Sequence, residues 1–242
     1  MFKNRKIPDK IIIKRTPLAA SGKLVDVYSD LDNFEPAELV RLTEQAYGEI
    51  KNIFLFQYDH QHLGGRIQIY CSDAIKVSHV HGGYLQAKDP LGHIYLNPRS
   101  AYGAVQGINA TYVHELTHLF TWNFYSHTLR EGLADFVASS LYEGSAIGPV
   151  PVDFDFSTES FTRYSKYLAT TKTPPHKLKT DIDFRRGYYF SSRLFVKYLI
   201  ENYGLDAFMQ LYASPEPELE IETLYGQSRQ MLVAGCMASI CD

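Results

Sequence analysis

The chain has few of the features that mark disulfide-stapled, exported or membrane proteins. It contains three cysteines in 242 residues, an odd number without a repeating spacing, so no disulfide framework is expected. Cys236 and Cys241 stand close together, and a small loop closed by this pair is the alternative. Behind the basic N-terminus the only apolar run is Ile11–Ile13, far shorter than the roughly 7–15 residues of a signal-peptide core. No segment approaches the roughly 18 apolar residues of a membrane span.

These absences limit the cellular compartments and the classes of binding partner that are expected. A cytoplasmic protein is expected, and a secreted mature form remains open. The net charge of −3 argues against general binding to nucleic acid or to anionic membranes. The chain has no glycine-rich phosphate loop, so nucleotide binding is not expected, and it has no Gly-x-Ser-x-Gly or Cys/His signature of covalent catalysis. Residues 1–22 are locally basic and are interpreted as a solvated tail.

The most informative motif is His-Glu-Leu-Thr-His at residues 114–118. In a helix, residues four apart lie on one face, so His114 and His118 can hold the same metal ion. Glu115 stands beside them and can reach a water on that metal. The neighbouring residues are uncharged, which is typical of a helix that is buried on most of its surface. A pair of core histidines without a metal is the alternative.

A third ligand is offered by Glu131, which opens a Glu-Gly-Leu-Ala-Asp run. Thr128 and Glu131 also fit a capping box, in which the glutamate folds back onto the start of its own helix. Ser126 is an alternative cap, and Gly132 permits a close backbone approach at this point. Asp135 lies one turn beyond Glu131 and can accept the second ring N–H of a ligand histidine.

The two motifs together resemble those of the gluzincin metallopeptidases, in particular the small peptidase MA-like group. The resemblance implies a zinc ion held by His114, His118 and Glu131. It also implies Glu115 as the general base and Asp135 as a residue that supports the ligands from behind. The likeness covers about residues 22–235, although only the two metal motifs are specific.

Further along, residues 189–199 and 219–228 are similar to the later helices of that group. The oxyanion formed during peptide hydrolysis needs a donor beyond the metal. Tyr189 is the candidate, with Tyr188 as the alternative, and either can equally be a core residue. The resemblance also implies a substrate-binding edge strand at residues 93–97, to which an extended peptide can add. This strand comprises His93, Ile94, Tyr95, Leu96 and Asn97. An interior strand without a ligand is the alternative.

The pattern along the chain predicts an α+β protein, and the resemblance gives it a zincin-like arrangement with a small mixed sheet. The resemblance implies one catalytic domain over residues 1–242, with an α/β lobe at 23–123, a helical lobe at 124–242 and the active-site helix between them. Alternation predicts strands at 23–28, 66–71, 84–87 and 93–97. Helical periodicity predicts helices at about 36–52, 103–123, 129–143 and 187–203, followed by shorter ones. Residues 145–186 are interpreted as an irregular insertion with one helix near 158–170.

The function expected from these residues is a zinc-dependent metallopeptidase that acts on a peptide or protein substrate. Glu115 favours an enzyme, because an inactive relative tolerates the loss of this residue. The alternative is a catalytically weak or inactive protein of gluzincin fold that binds zinc or a peptide. Two further histidine pairs, His60 with His62 and His79 with His81, can each share a strand face, but no nearby carboxylate or thiol completes a metal site there.

Overall fold

A computed structural model gives the fold of this chain and describes residues 9–53, 66–81, 93–121, 126–142, 158–168 and 175–241. These residues form a mixed α+β structure with one five-stranded sheet and ten α-helices. The described chain divides into two compact units. The first contains the residues up to 121 together with 141–142, and the second contains 126–140 and 158–241. The division falls beside residue 123, where the two predicted lobes also meet.

The first unit is built on a sheet of five strands, which are β1 Leu18–Ser21, β2 Val25–Ser29, β3 Ile67–Cys71, β4 His79–His81 and β5 His93–Leu96. The strand order is β1-β2-β3-β5-β4. Strands β2, β3 and β5 run parallel, while β1 and β4 are antiparallel to their neighbours. The strands predicted at 23–28, 66–71 and 93–97 are present within one or two residues. The strand predicted at 84–87 lies outside the described residues.

Strand β5 is an interior strand, so the expectation of a substrate-binding edge at 93–97 was wrong. Ile94 pairs with Ile69 of β3 on one side and with Val80 of β4 on the other. All four residues of β5 are buried, which is typical of a strand covered on both faces. Asn97 is not part of the strand, because its side chain accepts the backbone N–H of Ser100 at 2.9 Å and caps the next helix.

One face of the sheet carries a stack of aromatic rings. Tyr28, Tyr70 and Tyr95 are register partners on adjacent parallel strands, and their ring centroids lie 4.7 and 5.4 Å apart. Helix α1 (Asp9–Arg15) brings Ile12 into the same cluster. The interpretation of residues 1–22 as a solvated tail was therefore wrong from residue 9 onward, because burial of Ile12 and pairing of β1 stabilise this segment.

The helices of the first unit follow their sequence signals with one exception. Helix α2 (Pro36–Ile53) begins and ends within a residue of the prediction, and it buries the predicted face of Leu39, Leu42, Ala46, Tyr47 and Ile50. The single helix predicted at 103–123 is instead two helices, α3 (Pro98–Gln106) and α4 (Ala110–Thr121). They separate at Gly107, whose φ of 154° favours glycine. Asn109 then caps α4 by accepting the Tyr112 N–H at 3.0 Å.

The described helices of the second unit are α5 His127–Leu141, α6 Thr158–Ser165, α7 Ile182–Tyr203, α8 Leu205–Ala213, α9 Pro217–Tyr225 and α10 Arg229–Cys241. Helix α7 is central and packs against α6, α8 and α10. Helix α7 begins five residues before the predicted start because Asp181 accepts the Phe184 N–H at 2.9 Å, and it ends at Gly204 as predicted. Helix α6 lies within the helix predicted near 158–170. A 3-10 helix at His176–Lys179 follows it.

The predicted insertion at 145–186 is only partly described. Residues 145–157 and 169–174 lie outside the described residues, and 182–186 belong to α7. Cys236 is a buried free thiol, so the loop considered for Cys236 and Cys241 is not closed. Among the described helices, none has the length and apolar character needed to cross a membrane.

Candidate metal centre

Helix α4 is buried on almost its whole surface, as its uncharged sequence predicts. Ten of its residues are buried, and only Thr111 and Glu115 are half-buried. The polar Thr117 is accommodated because its hydroxyl donates to the Val113 carbonyl at 2.7 Å. The half-buried positions lie one turn apart, so Glu115 stands on the most accessible side of this helix.

His114 and His118 face each other on α4 through their Nε2 atoms, which lie 3.1 Å apart. The two rings are perpendicular and are 6% and 7% exposed. Two nitrogen ligands of a tetrahedral zinc, each at about 2.05 Å from the metal, lie about 3.3 Å apart. The separation of the two Nε2 atoms therefore fits one shared metal ion.

Glu131 completes the group of predicted ligands. His114, His118 and Glu131 each offer one ligand atom, and these atoms all lie within 4.8 Å of one another. In the described part of the chain no other set of three or more His, Cys, Asp or Glu residues is close enough to hold a metal. Two imidazoles and one carboxylate form a donor set that suits zinc and keeps one coordination position open. The residues present thus fit the metal that the sequence predicts.

The start of α5 shows that Glu131 does not act in a capping box. The helix begins at His127, and Ser126 caps it by accepting the Leu129 N–H at 3.3 Å. The Thr128 hydroxyl instead donates to the Tyr167 carbonyl at 2.5 Å. The alternative cap considered from the sequence, Ser126, is the one that forms, and Glu131 lies one turn inside the helix.

Gly132 allows α5 to pack closely against α7. A Cβ atom at this position would lie 2.7 Å from the carbonyl carbon of Ser192 and 2.8 Å from Val196 Cγ2. The close approach expected at Gly132 is therefore an approach to the backbone of α7. It fixes the position of α5 at the residue that follows Glu131.

Two cationic or potentially cationic residues contact Glu131. His127 Nε2 lies 3.7 Å from Glu131 Oε1, and Arg130 Nε lies 3.6 Å from the same oxygen. Burial lowers the pKa of His127. The negative charge of Glu131 acts in the opposite direction, and the positive charge of Arg130 lowers this pKa further. Burial of His127 thus disfavours the protonated form of its imidazole. Sequence reasoning missed His127, although its spacing of four residues from Glu131 placed both on one helix face.

Asp135 is fully buried one turn beyond Glu131. Its Oδ2 lies 3.7 Å from Nε of Arg193 on α7, and the Arg193 guanidinium stacks 4.6 Å from the Phe190 ring centroid. The support of a ligand histidine by Asp135 stays a prediction. The sequence analysis did not identify Arg193. Its position could have been noticed, because it is the only charged residue between 187 and 196.

The two candidate tyrosines on α7 have different surroundings. Tyr188 is fully buried, and its hydroxyl lies 3.1 Å from His127 Nδ1 and 2.7 Å from Thr128 Oγ1. Burial raises the pKa of Tyr188 above its usual range. Tyr189 is half-buried and packs beside the Tyr188 ring. Since the Tyr188 hydroxyl forms hydrogen bonds with His127 and Thr128 of α5, Tyr189 stays the predicted oxyanion donor.

Comparisons of the chain with protein-family models, with curated proteins and with solved structures give no match. The interpretation of this centre therefore depends on its own geometry and on the chemistry of its residues.

Proposed function

We propose that this chain is a zinc-dependent metallopeptidase of the gluzincin type, with His114, His118 and Glu131 as the zinc ligands. The observation that carries the proposal is the convergence of two Nε2 atoms 3.1 Å apart with a buried carboxylate whose ligand atom lies within 4.8 Å of both. The half-buried Glu115 next to His114 supplies the acid–base group that hydrolysis requires.

The chemistry divides between the metal and the residues of the chain. His114, His118 and Glu131 would hold the zinc ion, which would supply a bound water with a pKa of about 7. Glu115 would accept a proton from the attacking water and would donate it to the leaving amine of the peptide. Glu115 suits this proton transfer because it lies on the most accessible side of α4, the helix that carries His114 and His118.

Tyr189 is proposed to donate a hydrogen bond to the oxyanion of the tetrahedral intermediate. The choice between the two tyrosines follows from their contacts. The single hydroxyl proton of Tyr188 is used within α5 and α7, whereas Tyr189 is the half-buried neighbour on the same helix.

The proposed substrate is an extended peptide or a protein segment. Since β5 is interior, we place the substrate beside β4 instead. This strand is the outermost described strand on its side of the sheet, it runs antiparallel to β5, and it packs against α4. A peptide that adds to β4 is thereby brought next to the helix that carries Glu115.

The proposal is tested by digesting a broad peptide library with the zinc-loaded protein and with its Glu115→Gln variant. The variant is expected to keep its zinc and to lose cleavage, because an amide cannot accept the proton from water. Glu38→Gln is the matched control, since Glu38 forms a surface ion pair with Arg41 on α2, and it should cleave like the parent.

Two outcomes contradict the proposal. Equal cleavage by the parent and by Glu115→Gln removes Glu115 as the base. A parent protein that binds zinc but cleaves no peptide in the library supports the alternative of a zinc-binding or peptide-binding protein without hydrolysis.

A further inference from the structure

The second unit carries a local excess of positive charge. Its described residues between 162 and 186 include six Lys and Arg side chains but only two Asp side chains, in a chain whose net charge is −3. Five of these cations form what we call the basic patch, namely the exposed Arg163, Lys166, Lys177 and Lys179 and the half-buried Arg185. Most charged surfaces are only solvated, so the arrangement of these cations decides whether they can bind a partner.

The cations of the basic patch are arranged around one aromatic cluster. The buried rings of Tyr164 and Phe184 have their centroids 5.3 Å apart. Arg163 Cζ lies 5.8 Å from the centroid of Tyr164, and Lys177 Nζ lies 5.7 Å from that of Phe184. Because each cation is attracted to the face of a ring, its side chain has less conformational freedom to lose when it binds an anion.

Two further contacts connect the rest of the basic patch to this cluster. Lys166 Nζ lies 5.0 Å from the centroid of Tyr167, which packs against the same buried rings. Arg185 Nε donates to the backbone carbonyl of Leu178 at 3.0 Å, and Leu178 directly precedes Lys179. Residues of α6, of the 3-10 helix and of α7 thus contribute to one positively charged surface.

The two carboxylates of this segment already have partners. Asp181 accepts the Phe184 N–H at 2.9 Å and caps α7, and Asp183 Oδ1 lies 3.6 Å from Arg186 Nη1. Within the part of the chain that the structure describes, Arg163, Lys177 and Lys179 form no ion pair. These cations are therefore available to the carboxylates of another molecule.

The basic patch adjoins α5, the helix that carries Glu131. The Thr128 hydroxyl on α5 donates to the backbone carbonyl of Tyr167. The Tyr167 ring packs 6.2 Å from that of Tyr188, whose hydroxyl lies 2.7 Å from Thr128 Oγ1. Thr128 lies three residues before Glu131. A polypeptide that binds the basic patch is thereby brought to the start of this helix.

We propose that the basic patch binds an acidic segment of the substrate, so that the favoured substrates are polypeptides with a run of Asp and Glu. Cleavage of such a substrate rests on the proposed function, whereas its binding uses none of the metal ligands. An acidic polypeptide fits the patch better than a nucleic acid. Tyr164 and Phe184 are 4% and 3% exposed, and rings so deeply buried cannot stack on the bases of a single strand.

Binding is measured by the fluorescence anisotropy of a labelled oligoglutamate peptide with the full-length Glu115→Gln variant, which should not cleave the probe. Added salt should weaken this binding, because exposed charges are screened. Combined replacement of Arg163, Lys177 and Lys179 by Gln in the same background should weaken it by about 10-fold at low salt. All three side chains are exposed, so the fold should not change.

The matched control replaces one Arg and two Lys outside the basic patch, Arg41, Lys23 and Lys197, by Gln. These side chains are also exposed, and the net charge changes by the same amount, so this variant should bind the probe like the parent. Equal losses in both triple variants would show an effect of net charge alone and would overturn the inference. An oligothymidylate of equal charge that binds the patch more tightly than the peptide would overturn it as well.

Cleavage separates this inference from the proposed function. With Glu115 intact, loss of the three patch cations should raise KM for an acidic peptide, leave kcat unchanged and leave the cleavage of neutral peptides unchanged. An unchanged KM for the acidic peptide overturns the inference and leaves the zinc centre standing. Patch-dependent binding of oligoglutamate by a parent that cleaves no peptide supports the basic patch as a site for acidic polypeptides and refutes the proposed function.

Discussion

His114 and His118 direct their Nε2 atoms toward each other across 3.1 Å, one turn apart on a helix that is buried on nearly every side. Two neutral imidazoles gain at most one weak hydrogen bond from this arrangement, because only one of the two nitrogens can carry a proton. A shared cation satisfies both lone pairs at once. The relationship between these two rings is therefore the basis for the predictions on metal content.

Protein purified without added metal is expected to contain about one zinc per chain. His118→Ala should reduce this to near zero, since it removes one of three ligands. His176→Ala is the control, because His176 lies on the 3-10 helix of the second unit and not in the ligand group. Elemental analysis of the three proteins decides the point, and a folded parent that neither contains nor takes up zinc would exclude the site.

Asp135→Asn is expected to weaken zinc binding by about 10–100-fold while all three ligands remain. The amide keeps the size of the side chain but loses the charge that faces Arg193 and the ability to hold a ligand imidazole in one tautomer. Glu201→Gln, which removes a charge from an exposed pair with Lys197, should leave the affinity unchanged. An unaltered zinc dissociation constant in Asp135→Asn would limit Asp135 to its contact with Arg193.

Gly132→Ala is expected to destabilise the protein by about 1–3 kcal/mol, the usual cost of overpacking. The added methyl would meet the backbone of Ser192 and the side chain of Val196, so α5 and α7 would have to separate. Gly48→Ala is the opposite case, because a Cβ at this position on α2 meets nothing within 4 Å. It should stabilise by roughly 0.5–1 kcal/mol through helix propensity. Urea unfolding of both variants measures the change in the free energy of unfolding, which should be a decrease for Gly132→Ala and an increase for Gly48→Ala.

Cys71 and Cys236 are expected to resist thiol reagents in the native protein. Burial raises the pKa of both, and it raises the pKa of Cys236 to about 12. At pH 8 only roughly one Cys236 side chain in ten thousand is then a reactive thiolate. In a Cys241→Ser background, Ellman's reagent should detect no thiols in the folded protein and two in guanidinium. Rapid labelling of the folded chain would show that these side chains are accessible.

Local signals in the sequence were sufficient for the helices whose pattern is strongly periodic. The apolar spacing of α2 predicted its bounds and its buried face, and the uncharged flanks of His114 and His118 predicted that α4 is buried. Boundaries that depend on one capping contact were less predictable. Gly107 and Asn109 interrupt the helix predicted at 103–123, and Asp181 starts α7 early. These caps require a specific backbone geometry that spacing alone does not reveal.

The sequence by itself determined that His114 and His118 lie on one helix face, because a spacing of four residues places them there whatever surrounds the helix. Only the tertiary structure decided which partner each group meets. Pairing with β4 makes β5 an interior strand. Ser126 rather than Thr128 caps α5. The Tyr188 hydroxyl forms hydrogen bonds with His127 and Thr128. The physical reason is that helix and strand periodicity is a property of neighbouring residues, whereas hydrogen-bond partners, strand neighbours and the approach of Gly132 to α7 depend on residues far apart in the chain.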